Sequence, residues 1–180
     1  QYNSGTVLSQ SSITLSFTNN TSQGDILVAV ISTMGTQNHV VSINDSQGNR
    51  WYKASQSNTY NDIEVWYAIA TLSQSETITI NMANAGDINA IIIEISGINY
   101  NNIIAGQYVN SGQNTNPELS FSPALNNVFV LSAVNLVIPS SASPSTNEVP
   151  TASPISPAIL LATNSIPSNN ETTAIDYIAD

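Results

Sequence analysis

The feature that most constrains the fold is a series of short runs rich in β-branched residues, each followed by a polar turn. No stretch of comparable length has the period of an amphipathic helix. Short strands at this spacing predict an all-β protein, folded as a jelly-roll-like two-sheet β-sandwich with an extended N-terminal tail. The predicted strands are 13–17, 26–32, 40–45, 51–55, 63–70, 76–82, 88–95, 103–108, 128–137, 158–162 and 173–179.

Two kinds of pattern distinguish these runs. In "SITLSF" the apolar residues Ile13, Leu15 and Phe17 alternate with polar ones, which predicts a strand with one buried face. "ILVAVIS" and "INAIIIEIS" are apolar on both faces and are expected at the centre of a sheet. Glu94 interrupts the second of these runs. We expect it at the end of a sheet or in hydrogen bonds, because an unpaired buried carboxylate is costly.

Glycine and proline divide the chain. All 8 Gly lie at or before Gly112, and all 8 Pro lie at or after Pro117. Several of the prolines fall in "VIPSSASPSTNEVPTASPISP", which is either an interdomain linker or a long crossover loop. Too little chain follows this segment to form a second core. We therefore expect an N-terminal tail and hinge over 1–12 and a single sandwich domain over 13–180.

The charge balance indicates which partners the protein can bind and how its stability depends on pH. Twelve Asp and Glu face only two Lys and Arg, for a formal net charge of −10. This balance disfavours nucleic acid and anionic membranes, which are bound through clustered cations. No apolar run is long enough to span a bilayer. In acid the carboxylates are neutral, so such a chain repels itself little, and we expect stability that changes little between about pH 2 and 7.

The beginning of the chain and its cysteine content point to an exported protein. It opens on Gln1 without an initiator methionine or a signal sequence, as expected of a processed, secreted chain. With no cysteine, it forms no disulfide, thiolate nucleophile or cysteine-based zinc site. We expect an extracellular protein without a cofactor.

Signals for catalysis or metal binding are weak. His39 is the only histidine and lies at a turn, with no nucleophile-elbow pattern elsewhere. Glu64 and Glu94 form a candidate glycosidase pair, although two glutamates on strands occur commonly by chance. The segment 44–49, "NDSQGN", faintly resembles a calcium loop but lacks its alternating acids. A hairpin turn between 40–43 and 51–54 is the better interpretation. We predict that the protein is not an enzyme.

Five aromatic residues cluster in the sequence: Trp51, Tyr52, Tyr60, Trp66 and Tyr67. Adjacent residues of a strand point to opposite faces, so we expect one of each neighbouring pair in the core. The other residue of each pair could line a surface that stacks on sugar rings. Core packing is the simpler interpretation.

Lys53 is the only lysine. A lysine beside Asn or Asp on neighbouring strands could form an intramolecular isopeptide bond. A single lysine is necessary for such a bond and far from sufficient.

Four Asn-x-Ser/Thr sequons begin at Asn19, Asn20, Asn44 and Asn170. An Asn- and Thr-rich chain produces sequons by chance. All four fall in predicted turns, where N-linked glycans are accommodated.

Residues 4–98 resemble a β-sandwich domain of secreted prokaryotic surface proteins. The resemblance rests on "SITLSF", "GDILVAVIS", "VVSINDSQGNRWY", "IEVWYAIA", "TITINM" and "AIIIEISGI", in this order. Within this class, the uncharged Asn-, Ser- and Thr-rich composition most resembles the thread-like pilus subunits of thermoacidophilic archaea. The resemblance covers about half of the chain.

The resemblance implies a glycosylated filament of identical subunits, assembled by donor-strand complementation for adhesion or biofilm formation. The tail would then be the donor strand, with Tyr2, Val7 and Leu8 entering a neighbouring subunit and 9–12 as the hinge. The C-terminal "TTAIDYIA" is a rival donor that we assign to the body. The alternative function is a secreted carbohydrate-binding or adhesin module that does not polymerise.

Overall fold

The computed structural model describes residues 1–59, 61–98, 103–104, 106–109, 129–137, 159–166 and 171–179. These residues form nine strands and no helix, so the prediction of an all-β fold is confirmed. The strands are β1 (Tyr2–Ser16), β2 (Ile26–Thr33), β3 (Val40–Asp45), β4 (Tyr52–Ser57), β5 (Asp62–Ile69), β6 (Thr77–Ile95), β7 (Phe129–Val137), β8 (Ile159–Ile166) and β9 (Glu171–Ala179).

The first sheet is antiparallel and folds over on itself. Its strand order is β1-β6-β2-β5-β4, and β3 pairs with the first half of β6. β2 pairs with the second half of β6, over Ile88–Ile95. β1 follows β6 along both halves. The two long strands therefore pass from one layer to the other, as strands do where they bend at the corner of a sandwich.

The main core fills the space between these two layers. Ile13, Leu15 and Phe17 lie in it, as their alternation predicts, at 3%, 8% and 6% exposure. They pack with inward residues of the other strands, among them Leu27 and Ile92. Burial of these aliphatic side chains drives the two layers together, at about 25 cal/mol for each Å² of apolar surface removed from water.

A second apolar cluster lies on the opposite face of β2 and the second half of β6. Val28, Val30 and Ile91 are buried there, and Leu131 and Ala133 of β7 pack against them. Every residue of β2 is therefore buried, which confirms that the runs apolar on both faces are central strands.

The second sheet has the strand order β7-β9-β8. β9, which contains the C-terminal rival donor, is paired on both sides, with β7 and with β8. The Pro-rich segment, predicted as a linker or a crossover loop, lies outside the described residues after Val137. The predicted strand at 103–108 is wrong, because its described residues form no strand.

Two predicted connections differ in the structure. Residues 76–82 and 88–95 form one long strand, β6, instead of two. The hairpin predicted between 40–43 and 51–54 is wrong, because β3 pairs with β6 whereas β4 pairs with β5. The segment between β3 and β4 is therefore a crossover. Its turn residues resemble those of a hairpin because Gly48, with φ of 73°, needs the same backbone freedom in either case.

Candidate assembly site at the first strand

The predicted donor segment is seated in its own chain. Tyr2–Val7 pair antiparallel with Ile88–Ile93 of β6, from Tyr2 opposite Ile93 to Val7 opposite Ile88. A separate extended tail is therefore not confirmed, since β1 runs without interruption across the predicted boundary at residue 12. We call Tyr2–Val7 the donor segment, and its place along β6 the seat.

The three predicted donor side chains take different positions. Val7 packs against the main core. Tyr2 and Leu8 are 51% and 53% exposed. Gly5 also faces inward, towards Leu15 and Ile13. The inward positions of the segment are therefore occupied by small residues, Gly5 and Val7. Backbone pairing and Val7 thus hold the segment, rather than three apolar anchors.

Gln1 is held by a cluster of hydrogen bonds that the sequence did not predict. Its Nε2 donates to Oε2 of Glu94 at 2.6 Å and to the carbonyl of Asn19 at 3.1 Å. Its Oε1 accepts from the backbone N–H of Asn19 at 3.0 Å. The other carboxylate oxygen of Glu94 accepts from the N–H of Ser22 at 2.7 Å. These contacts match a primary carboxamide, which donates and accepts at once, and they fix the register of the strand.

Glu94 meets both parts of its prediction. It lies at the end of β6 and is hydrogen-bonded to Gln1 and Ser22. Asp25 lies beside it, and burial together with the Glu94 carboxylate raises the pKa of Asp25.

The pairing of β1 with β6 is irregular where the hinge was predicted, although the strand itself is continuous. Its register against β6 shifts between Val7 and Gln10 and again between Gln10 and Ser12. Ser9 has φ of 54°, a left-handed conformation that costs a non-glycine residue about 1–2 kcal/mol. Its N–H donates to Oδ1 of Asp87 at 2.9 Å. The donor segment is thus joined to the body through irregular, strained backbone.

The edge beneath the donor segment is apolar. Ile88, Ala90 and Ile92 of β6 are fully buried in the main core. On the other face, Thr6 Oγ1 donates to Oδ1 of buried Asn89 at 2.6 Å. β2 pairs with one side of this row of β6. Without the donor segment, the row would lose its backbone partners on the other side and part of its cover, which is unfavourable in water.

A second polar site surrounds Lys53. Its Nζ lies 2.7 Å from Oε2 of Glu64, and it donates to Oε1 of Gln56 at 2.9 Å. Glu64 is completely buried, and its Oε2 also accepts from the indole N–H of Trp66 at 2.8 Å. Asp62 accepts from Nε2 of Gln56 at 2.7 Å. The pKa of Asp62 is raised to about 6, chiefly by burial and also by the neighbouring Glu64 carboxyl.

The sequence did not predict this cluster, because Glu64 was interpreted only as one half of a glycosidase pair with Glu94. The signal that could have found it is the spacing of Asp62, Glu64 and Trp66, which places all three on one face of a strand. Lys53 lies directly opposite Trp66 on β4.

The candidate catalytic residues are not brought together. Glu64 pairs with Ile31 and Glu94 with Leu27, on opposite sides of β2. Strand geometry then separates the two glutamates by roughly 16 Å, beyond the reach of a glycosidase pair. His39 is exposed, and its carbonyl accepts from the N–H of Ala83.

The loop that resembles a calcium site is closed by its own hydrogen bonds. Asp45 Oδ1 accepts from the N–H groups of Gln47 and Asn49, at 3.1 and 2.9 Å. Its Oδ2 accepts from the indole of Trp51 at 2.7 Å. The carboxylate therefore stabilises the turn. Within the described ranges, no three His, Asp or Glu side chains are grouped to hold a metal ion.

The aromatic residues divide between faces as expected. Trp51 and Trp66 pack against the main core, and Tyr67 packs on the opposite face of its sheet. Tyr52 is 44% exposed and stacks on Tyr67, with ring centroids 5.6 Å apart. Tyr60 lies outside the described residues.

Three of the sequon asparagines are exposed. Asn19 and Asn20 lie in the loop after β1, as predicted. Asn44 is in β3, so its assignment to a turn is wrong, although it is the last residue but one of that strand. Asn170 lies outside the described residues.

Comparison with known proteins adds no relative. No family model, no curated protein and no solved structure matches this chain. In the part of the chain that the structure describes, no helix is long and apolar enough to cross a membrane.

Proposed function

We propose that this chain is the structural subunit of an extracellular filament in which the donor segment of one copy occupies the seat of the next. The observation that carries the proposal is the pairing of Tyr2–Val7 with β6 through an irregular hinge. A separable strand on an apolar edge is the arrangement that strand addition uses.

The energetics favour exchange between copies. The donor segment makes the same backbone and side-chain contacts whether it belongs to the same copy or another. Opening the hinge releases the left-handed strain at Ser9, worth about 1–2 kcal/mol. In the proposed assembly each copy gives its strand to one neighbour and receives a strand from another. The contact is then head to tail and, unlike a reciprocal swap between two copies, does not close on itself. The product is a filament.

The filament lies outside the cell, in adhesion or biofilm formation, and carries N-linked glycans. The charge of −10 supports solubility at neutral pH. The exposed Asn19, Asn20 and Asn44 offer attachment points on the described surface.

Disulfide trapping tests the proposal cleanly because the chain has no cysteine of its own. Thr6 and Asn89 are directly opposite on β1 and β6, within the donor segment and the seat. The double variant Thr6→Cys/Asn89→Cys is concentrated, oxidised, denatured and run on a non-reducing gel. We expect a ladder of covalent multimers, together with filaments in negative-stain micrographs.

Thr14→Cys/Thr79→Cys is the matched control. Thr14 and Thr79 are also opposite on β1 and β6, with hydroxyl oxygens 3.1 Å apart, but beyond the hinge. This pair should cross-link within one chain under the same conditions. Absence of filaments, or filaments in which the disulfide between positions 6 and 89 lies only within single chains, contradicts the proposal.

A carbohydrate-binding module is the second candidate function. It is favoured by the exposed ring of Tyr52, with the Arg50 guanidinium 5.1 Å from its centroid. Stacking on a sugar would use this ring. Polysaccharide binding by monomeric protein, lost in Tyr52→Ala and retained in Tyr2→Ala, would support this candidate.

A further inference from the structure

The cluster around Lys53 contains the parts of an amide-forming site. The only lysine of the chain places its Nζ 2.7 Å from Oε2 of Glu64, whose side chain has no exposed surface. The same Nζ lies 5.3 Å from the ring centroid of Trp66. The carboxyl is thus buried at the edge of the main core, and the amine reaches it from the surface on a side chain that is 34% exposed.

We propose that Lys53 and Glu64 condense into an intramolecular isopeptide bond, with Asp62 carrying the proton. The Lys53 ammonium first passes one proton to the Glu64 carboxylate, 2.7 Å away, and the freed lone pair of Nζ then attacks Cδ of that carboxyl. The new Nζ–Cδ bond forms, one Cδ–O bond breaks, and the oxygen leaves as water with two protons. An ammonium and a carboxylate become one neutral amide and one water, so no oxidant, reductant or activated donor is needed.

Two N–H groups are placed to stabilise the charge that develops on the carboxyl oxygens. The backbone N–H of Val40 donates to Oε1 of Glu64 at 2.8 Å. The indole N–H of Trp66 donates to Oε2 at 2.8 Å. Fixed donors aimed at a developing oxyanion act most strongly in a site that excludes water.

Asp62 is placed to carry the proton. It lies two positions before Glu64 on the same face of β5 and is 2% exposed. Because burial raises its pKa to about 6, it holds a proton in mild acid and can pass it to the leaving oxygen.

Gln56 is the positioning residue of the site. Its Oε1 accepts from Lys53 and its Nε2 donates to Asp62, at 2.9 and 2.7 Å. Holding the reacting groups in contact replaces a slow encounter between molecules with a step inside one structure.

Intact-mass spectrometry of the full chain, produced without glycans and incubated near pH 5, tests the bond. We expect a mass lower than that of the sequence by one water. Chymotryptic cleavage after Tyr52, Tyr60 and Trp66 should leave the fragments 53–60 and 61–66 joined. Fragmentation should place the link between Lys53 and Glu64.

Three variants define the chemistry. Lys53→Arg keeps the positive charge but forms no amide, so its mass should equal that of its sequence. Arg50→Lys is the matched control, because its new lysine lies on an exposed residue, and it should still lose one water. Asp62→Asn should slow the loss of water at least tenfold without preventing folding, which circular dichroism checks.

The wild-type mass decides the outcome whether or not a variant folds. Folded wild-type protein that keeps the full mass of its sequence contradicts the proposal. Loss of ammonia, which would mean a link to Gln56, or a water-loss link to Asp62 also overturns the assignment. The result is independent of filament formation, because the site lies on β4 and β5, away from the donor segment.

Discussion

Gly5 lies directly against Leu15, although both belong to β1. A Cβ atom added at Gly5 would stand 2.7 Å from Cδ2 of Leu15 and 3.4 Å from Cδ1 of Ile13. The two halves of the strand therefore face each other across the core, one in each layer. A residue without a side chain lets the donor segment lie this close to the opposite layer, so Gly5 limits what the seat can accept.

Gly5→Val should destabilise the closed monomer and weaken donor binding. The added side chain must displace buried Leu15, and overpacking of this kind costs about 1–3 kcal/mol. Urea denaturation of the variant measures the loss. Ser11→Val, on an exposed position of the same strand, is the control and should change the free energy of unfolding by less than about 0.5 kcal/mol. Equal effects from the two variants would show that Gly5 is not confined.

Deletion of residues 1–10 should leave a folded monomer that is less stable and does not elongate. The loss of several backbone hydrogen bonds, each worth about 1 kcal/mol net, exposes the apolar seat. A synthetic peptide of residues 1–10 should bind and restore the melting temperature. A peptide with Gln1→Glu should bind at least tenfold more weakly, because it sets a second carboxylate against Glu94. Filaments of normal appearance from the truncated chain would contradict the donor model.

Ser9→Gly should stabilise the closed monomer and slow strand exchange. Glycine adopts positive φ without strain, so the folded state gains about 1–2 kcal/mol of stability. The greater conformational entropy of glycine in the unfolded chain offsets about 0.5–1 kcal/mol of this gain. Ser11→Gly adds the same flexibility without relieving positive φ, and it should lower stability. Melting temperature and the rate of filament growth, followed by light scattering, check both effects. Faster growth in Ser9→Gly than in wild type would exclude stored strain as the reason for opening.

Stability should rise as the pH falls from about 6 to about 4. The pKa of Asp62 is raised from 3.8 to about 6, so over this window the folded chain holds a proton that the unfolded chain has released. The contribution is complete below about pH 4, is lost as the pH rises through 6, and reaches at most about 3 kcal/mol. Burial also raises the pKa of Glu76, and that of Asp25 is raised too, both in the same direction.

Urea denaturation between pH 3 and 8 measures this slope, which Asp62→Asn should flatten. An unchanged slope in the variant would assign the pH dependence to other groups. The charge balance alone predicts stability nearly independent of pH, and the buried carboxyls add this preference for acid.

Native protein should carry a glycan on at least one of Asn19, Asn20, Asn44 and Asn170. The three asparagines that the structure describes are exposed, so a glycan can attach without unfolding. Intact-mass spectrometry compares native protein with protein from a host without N-glycosylation. A native mass no greater than that of the bare 19.1 kDa chain would contradict the prediction.

The sequence by itself determined that the protein is all-β and which faces its clearly patterned strands bury. Ile13, Leu15 and Phe17 alternate and are buried, and β3 has the predicted bounds. The reason is local: successive side chains of a strand point to opposite faces, so the order of apolar and polar residues records burial directly.

Only the tertiary structure decided which strands pair. It joined 76–82 and 88–95 into β6, placed β3 beside β6 instead of β4, and seated Tyr2–Val7 on β6. It also brought Lys53 to Glu64 and Gln1 to Glu94. Backbone N–H and C=O groups are nearly the same in every residue, so the sequence of a strand says almost nothing about which strand it pairs with. Pairing is chosen by the fit of distant side chains in a shared core.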